Sequence, residues 1–336
     1  MTGDFEWIGA DTANGYEHFI ADWRPAGRDA RVCVVRGAIG VGRHRLLNAL
    51  AEDWTRQGRA VTRFAGTDGP ERAAAVLCGD WAVFDGAAMR GLDAEPGDLE
   101  IDLSATIDQY ALRGERARAG ALYRRMHGLR ARAWRCMQVA RTAWSDSAAI
   151  YAEAVDGGAA MNLRLALSRW MQGAEGNRRR MFAQAVTADG VLSRAGGLTR
   201  PQTLCLDLPW GFDPDSLLYP VAAGLGLRGA GYTASMQALD GGRLAHLRTN
   251  SHAILSHAEP EYETRSLPFD EAVLRRERDA LAFNRAAYDL WLRQASDALA
   301  GARACRESLE RLVGDAVIPK AWNELAEKAV SFFKNS

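Results

Sequence analysis

The apolar run V-C-V-V at 32–35 is short and uninterrupted, as a strand buried on both faces requires. It is followed by R-H-R-L-L-N-A-L-A-E-D-W-T-R-Q-G (43–58), which has the pattern of an amphipathic helix closed by Gly58. R-A-V-T-R-F-A (59–65) and W-A-V-F-D-G (81–86) read as two further strands, the second ending on the carboxylate of Asp85. Strands alternating with helices predict an α/β fold with a mostly parallel sheet and crossover connections. Beyond Ile107 the period changes. Leu112, Ala119, Leu122, Met126, Leu129, Ala133, Met137, Ala140 and Trp144 fall at three- and four-residue steps and predict one apolar helical stripe. A second helix is predicted from Ser147 to Trp170, interrupted near Asp156, Gly157 and Gly158.

The same plan occurs twice. T-A-N-G (12–15) returns as T-A-D-G (187–190), 175 positions on, and each copy precedes a strand-like run, V-C-V-V or T-L-C-L-D-L (203–208). Asp108 followed by L-R-G-E-R (112–116) returns as Asp270 followed by L-R-R-E-R (274–278), 162 positions on. The order is kept and the offsets differ by the length of a loop, which points to a tandem duplication. One repeat is expected at 1–178 with a helical tail from about 107. The other is expected at 179–336, its tail from about 269 formed by helices at 269–314 and 319–333, with the polar stretch G-A-E-G-N-R-R-R (173–180) as the boundary.

Composition narrows the function classes. The 336 residues are 48% hydrophobic and 25% charged with a formal net charge of zero, so no global charge draws the chain to nucleic acid or to a membrane. Five scattered cysteines without a CxxC pair read as reduced thiols. With no basic leader before an apolar run and no span of about 18 apolar residues, the expectation is a cytoplasmic protein. Lysine occurs only at Lys320, Lys328 and Lys334, so arginine must do any earlier cationic work.

The turn between the first strand and helix carries the candidate chemistry. In R-G-A-I-G-V-G-R-H-R-L-L (36–47), Gly37, Gly40 and Gly42 keep the spacing of a phosphate-binding loop, G-x-x-x-x-G-K-[ST]. Such a loop cradles phosphates with backbone amides and a helix amino terminus, while lysine contacts the terminal phosphates and the hydroxyl ligates magnesium. Here Arg43 stands for the lysine and His44 for the hydroxyl. A planar guanidinium is a poor substitute for a compact ammonium, and imidazole lacks the hard oxygen magnesium prefers. The expected phosphate-binding residues are Gly37, Gly40, Val41, Gly42, Arg43, His44 and Arg45, with Arg36 beside them. Asp85 is either the acid that holds magnesium through water or a strand-end residue starting a D-G turn.

With these residues the chain resembles a family of uncharacterised bacterial proteins made of two tandem P-loop ATPase-like halves. W-I-G-A-D-T-A-N-G-Y-E-H-F (7–19) stands where the family has F-x-G-G-N-T-A-K-G-[FY]. The turn at 36–47 is similar to its K-G-G-P-G-T-G-K-S-T-L-M, and V-F-D-G-A-A-M-R (83–90) to a strand followed by D-[GS]-T-A-P-H. The resemblance spans nearly the whole chain and implies two P-loop NTPase-like lobes, each with a helical appendage, and ATP or another nucleotide as ligand. The functional positions depart from the family, so magnesium and hydrolysis are not expected. In the second half D-L-P-W-G-F-D-P-D-S-L-L (207–218) puts Pro214 and Asp215 at the lysine and serine positions, keeps only Gly211 of the glycines, and puts Ser256 opposite Asp85. Proline has no amide to donate and Asp213 and Asp215 repel phosphate, so that site is expected to be lost.

The leading expectation is therefore a non-catalytic or weakly catalytic protein that binds a nucleotide, an anion or a protein partner. An active ATPase or nucleotide-kinase-like enzyme using the first turn is the alternative. A second alternative is nucleic-acid binding by the nine arginines between 111 and 141, against which Glu115 is the lone acid. Zero net charge favours a solvated helix face instead. His246, His252 and His257 share no metal-ligand spacing, no metal is expected, and no nucleophilic triad is recognisable.

Overall fold

The computed structural model describes residues 6–25, 27, 30–90, 92–193 and 195–335; Phe5, part of the first apolar stretch, lies outside them. The first half contains β1 (Gly9–Thr12), β2 (Gly15–His18), the one-turn α1 (Ile20–Trp23), β3 (Arg31–Arg36), α2 (Arg43–Arg56), β4 (Val61–Gly66), β5 (Gly69–Cys78), β6 (Trp81–Asp85), β7 (Leu99–Asp102), α3 (Arg116–Ala154) and α4 (Gly157–Trp170). The second contains β8 (Arg178–Phe182), β9 (Gln184–Thr187), β10 (Gly190–Ser193), β11 (Gln202–Asp207), α5 (Asp215–Leu227), β12 (Tyr232–Gln237), β13 (Asp240–Arg248), β14 (His252–Leu255), β15 (Glu263–Ser266), α6 (Glu271–Arg276), α7 (Arg278–Gly314) and α8 (Pro319–Asn335).

The two larger sheets share one plan. One has the order β4-β5-β6-β3-β7 and the other β15-β11-β14-β13-β12-β8. Each centres on three parallel strands, β6-β3-β7 and β14-β11-β15, and continues as an antiparallel meander, β6-β5-β4 and β14-β13-β12. Even the outer neighbour recurs, as a parallel bridge from Glu6 to Phe64 in one sheet and as β8 beside β12 in the other. The TANG and TADG turns share two hydrogen bonds, to which Thr12 adds one to Glu17 Oε2 at 2.6 Å. Thr12 Oγ1 accepts from Asn14 N and donates to Gly15 O, both at 3.0 Å, and Thr187 does the same with Asp189 N at 3.1 Å and Gly190 O at 2.9 Å.

The chain is α/β as expected, but its sheets are mixed rather than mostly parallel. The difference comes from β5 and its counterpart β13, hairpin partners of β4 and β12 that the periodicity does not announce. In β5 the run A-A-A-V-L-C is alanine-rich, with little of the β-branched and aromatic content that marks a strand.

The helical tails depart further from expectation. α3 is one helix of 39 residues, not two. Ser147 does not start a helix but lies within it, its hydroxyl donating to Ala143 O one turn back at 3.3 Å. The break comes at Asp156, whose carboxylate accepts from Ala159 N at 2.9 Å and caps α4.

Two compact units result, and they do not coincide with the repeats at 1–178 and 179–336. One comprises 1–9, 23–132 and 297–336, the other 10–22 and 133–296. The polar stretch 173–180 falls inside the second unit, and Arg178–Phe182 is already a strand there. Within the first unit α8 packs on α2, and within the second α4 packs on α5. Each crossover helix is thus covered by a helix from the opposite half of the sequence. Matching bridges secure the exchange, Ile107 to Val317 in the first unit and Val155 to Phe269 in the second. In the first unit Leu46, Leu47, Leu50 and Trp54 of α2 meet Cys33, Val35 and Val83 of the sheet and Trp322 and Phe333 of α8 in one apolar core. Phe333 sits edge-on to Trp81 at 4.7 Å and to Trp54 at 5.9 Å.

Candidate functional site

The first glycine turn joins β3 to α2. Gly37, Gly40 and Gly42 have φ of 135°, 94° and 93°, the left-handed region that glycine enters without a Cβ penalty. Leu46 N donates to Gly42 O at 3.1 Å and starts the helix. The turn is closely covered. A Cβ on Gly40 would lie 2.8 Å from Glu310 Cα of α7, and one on Gly42 would lie 2.9 Å from Trp322 Nε1 of α8.

Arg43, placed by sequence against a phosphate, turns inward. Its side chain is 4% exposed, its Nε donates to Asp85 Oδ1 at 2.7 Å, and its Nη1 donates to the carbonyls of Gly37 and Ala38. Asp85 Oδ1 also accepts from Ala87 N at 2.9 Å and Ala88 N at 3.0 Å, so the carboxylate anchors its own turn as well. The two residues named as cation and magnesium acid therefore neutralise each other. The flanking arginines are engaged too. Arg36 Nε pairs with Glu100 Oε1 at 2.7 Å, and the Arg45 guanidinium lies 4.4 Å from the Trp322 ring centre. Val41 is buried in the core with α2.

His44 is half-buried, and its pKa is held below the ordinary value by burial first and then by the positive charge of Arg72, so at neutral pH it is an uncharged imidazole. Beside it runs a chain of ion pairs between residues far apart in the sequence. Arg130 Nη2 meets Asp68 Oδ1 at 2.8 Å, Arg306 pairs with Asp68 and reaches Glu310 Oε1 at 3.0 Å, and Arg72 Nη2 meets Glu310 Oε2 at 2.9 Å. Burial pushes Glu310 up, but hydrogen bonding from Arg72 and the charge of Arg306 outweigh it and leave the carboxyl below its usual range. The cavity that His44, Asp85 and this chain enclose is about 20 Å³, room for about one water. None of Asp68, Arg72, Arg306 or Glu310 belongs to a motif. Arg130, expected on a solvated face, is buried.

The second turn follows β11 and contains Gly211 at φ 92°. α5 begins at Asp215 with Pro214 before it. Asp213 accepts from Asp215 N at 3.1 Å and Gln237 Nε2 at 2.9 Å and pairs with Arg243, while Asp215 Oδ1 accepts from Leu244 N at 2.9 Å. Carboxylates thus bind this turn together from within. Burial, foremost, raises the pKa of Asp215. The strand registers place Ser256 opposite Asp85, since His252 pairs with Gln202 as Trp81 pairs with Arg31. Ser256 N donates to His246 Nδ1 at 3.1 Å, and burial drives the pKa of His246 down to about 3.

The remaining histidines are dispersed. His252 stands edge-on to Trp170 at 4.8 Å, and His257 Nε2 meets Glu259 Oε1 at 3.1 Å. Among the described residues no group of three or more His, Cys, Asp or Glu side chains is placed to hold a metal ion, and no helix is long and apolar enough to cross a membrane. All five cysteines are buried and unpaired. No protein-family model, curated protein or solved structure matches the chain.

Proposed function

We propose that this protein is a degenerate P-loop NTPase-like protein that acts by binding a ligand or a protein partner and not by phosphoryl transfer. The carrying observation is the buried Arg43–Asp85 pair inside the first glycine turn. Phosphoryl transfer depends on positioned charge at the phosphates and on the metal ion. In this reading Arg43 spends its donors on Asp85 and on the carbonyls of Gly37 and Ala38, and Asp85 spends its oxygen on Arg43 and two backbone amides. A phosphate entering the turn would have to displace a desolvated ion pair, and breaking such a pair costs about 3–5 kcal/mol.

Calorimetric titration of the full chain with ATP and ADP, with and without magnesium, tests the reading. The expected outcome is no magnesium-dependent heat in the wild type and its appearance in the double variant Arg43→Lys, His44→Ser. Micromolar, magnesium-dependent binding by the wild type would overturn it.

A second reading rests on α3, where Arg116, Arg118, Arg124, Arg125, Arg132 and Arg135 are exposed. Such a stripe suits a nucleic-acid backbone, and the corresponding test is DNA or RNA retardation that weakens steeply with salt.

A further inference from the structure

The second unit contains a cavity of about 230 Å³ at the place where the first has its closed turn. Its walls come from the turn after β11, the carboxyl-terminal half of α3, α7 and the β12–β13 hairpin. Trp144, Trp210, Phe212 and Tyr288 supply aromatic surface, with Trp210 and Tyr288 edge to face at 5.2 Å. Both tryptophans are half-buried on this wall, with the Arg285 guanidinium 4.7 Å from the Trp210 ring centre and that of Arg243 5.8 Å from Trp144, and the ring surface that stays open is what a ligand can cover, at roughly 25 cal/mol per Å².

The polar groups are few and oriented. Gln237 commits its amide nitrogen to Asp213 Oδ1 at 2.9 Å and Leu244 O at 3.4 Å, which leaves its side-chain carbonyl as an acceptor. Gln184, Ser145 and Ser256 add further donors and acceptors. The charged groups are already balanced, since Arg141 Nη1 lies 3.7 Å from Asp240 Oδ2 and Arg243 is paired with Asp213. The acid on the lining itself is Asp240, which Arg243 Nε also approaches at 3.8 Å, so no unpaired cation is offered to a phosphate there. Pockets for drug-sized ligands run to roughly 300–1,000 Å³, so a smaller cavity fits a body of one or two rings.

We infer that this cavity binds a flat, uncharged nitrogen heterocycle without phosphate, of nucleobase or nucleoside size. The heterocycle lies against the tryptophan rings, and its N–H and C=O edge meets the glutamines and serines. The phosphate turn of the second half has thereby been replaced by an aromatic pocket.

Ligand-detected NMR on the full chain, with adenosine, guanosine, cytidine, uridine and their free bases as probes, tests this directly. Saturable binding of at least one probe is expected, with ADP and ATP binding no more tightly than the matching nucleoside. Trp210→Ala should weaken that binding about tenfold, equivalent to about 1.4 kcal/mol, while Trp210→Phe keeps most of it. Should Trp210→Ala fail to fold, Gln184→Ala takes its place with an expected loss of about threefold. No saturable binding by any probe, tighter binding of the phosphorylated forms, or an effect of neither Trp210→Ala nor Gln184→Ala in folded protein would each overturn the inference.

Discussion

The two turns that follow β3 and β11 occupy equivalent places in their sheets and are filled by opposite means. In the first, the glycines persist and a cation from the turn fills the space, with Arg43 locked onto Asp85. In the second, the glycines are reduced to Gly211 and anions rigidify the turn, with Asp213 and Asp215 gripping the backbone and Arg243. The first leaves a cavity of about 20 Å³ and the second one of about 230 Å³. Glycines at 40 and 42 let α7 and α8 close over the first turn, whereas the second, with Gly211 alone, leaves room for a cavity.

The sharpest way to break this comparison is to remove each half's strand-end residue. Asp85→Ala strands the Arg43 guanidinium in a buried site, and urea denaturation should register a loss of about 3–5 kcal/mol. Ser256→Ala, the equivalent change, should cost about 1 kcal/mol or less, because it removes only the longer 3.4 Å contact of the hydroxyl with His246 Nδ1 and keeps the 3.1 Å bond from the backbone amide. Equal losses would mean that the two strand ends do the same work.

Next in size are the glycines. Gly40→Ala combines a positive φ with a Cβ 2.8 Å from Glu310 backbone and should destabilise by about 2–3 kcal/mol. Gly190→Ala has a φ of +101° and open space around it, and should cost about 1 kcal/mol in the same assay. A Gly40→Ala variant as stable as Gly190→Ala would mean that α7 does not clamp the first turn.

A pH dependence also separates the halves. His246 is buried at the place that Ala75 fills in the other sheet, as the pairings of Leu247 with Ile254 and of Val76 with Val83 show. Its pKa falls from an ordinary 6.5 to about 3 on folding, so the unfolded chain binds the proton first. The stability from its neutral form is complete above pH 6.5 and lost as pH falls toward 3, with a slope approaching about 1.4 kcal/mol per pH unit. Hydrogen exchange should show β13 and β14 losing protection on acidification before the carboxylates titrate, and His246→Ala should flatten that slope.

A good deal of the fold was legible in the chain. The buried strands around V-C-V-V and T-L-C-L-D-L and the break near Asp156 announce themselves through periodicity and local residue preferences, which act between near neighbours. β5 was not legible, since a run of alanines carries no strand signal until a partner strand lies beside it. The fate of Arg43 was hidden as well. A sequence shows a cation at a turn, but whether it faces solvent, a ligand or an acid 42 positions away depends on which strand pairs next to it.

The sequence by itself thus announced the strand–turn–helix order around V-C-V-V and the glycine geometry of the first turn. Only the tertiary structure decided that each crossover helix is covered from the opposite half of the chain, that Arg72 meets Glu310 across 238 positions, and that one turn is sealed while the other opens into an aromatic cavity. The physical reason is range. Backbone preferences and capping are settled within a helical turn, while burial, ion pairing and cavity shape belong to residues that only the folded topology brings together.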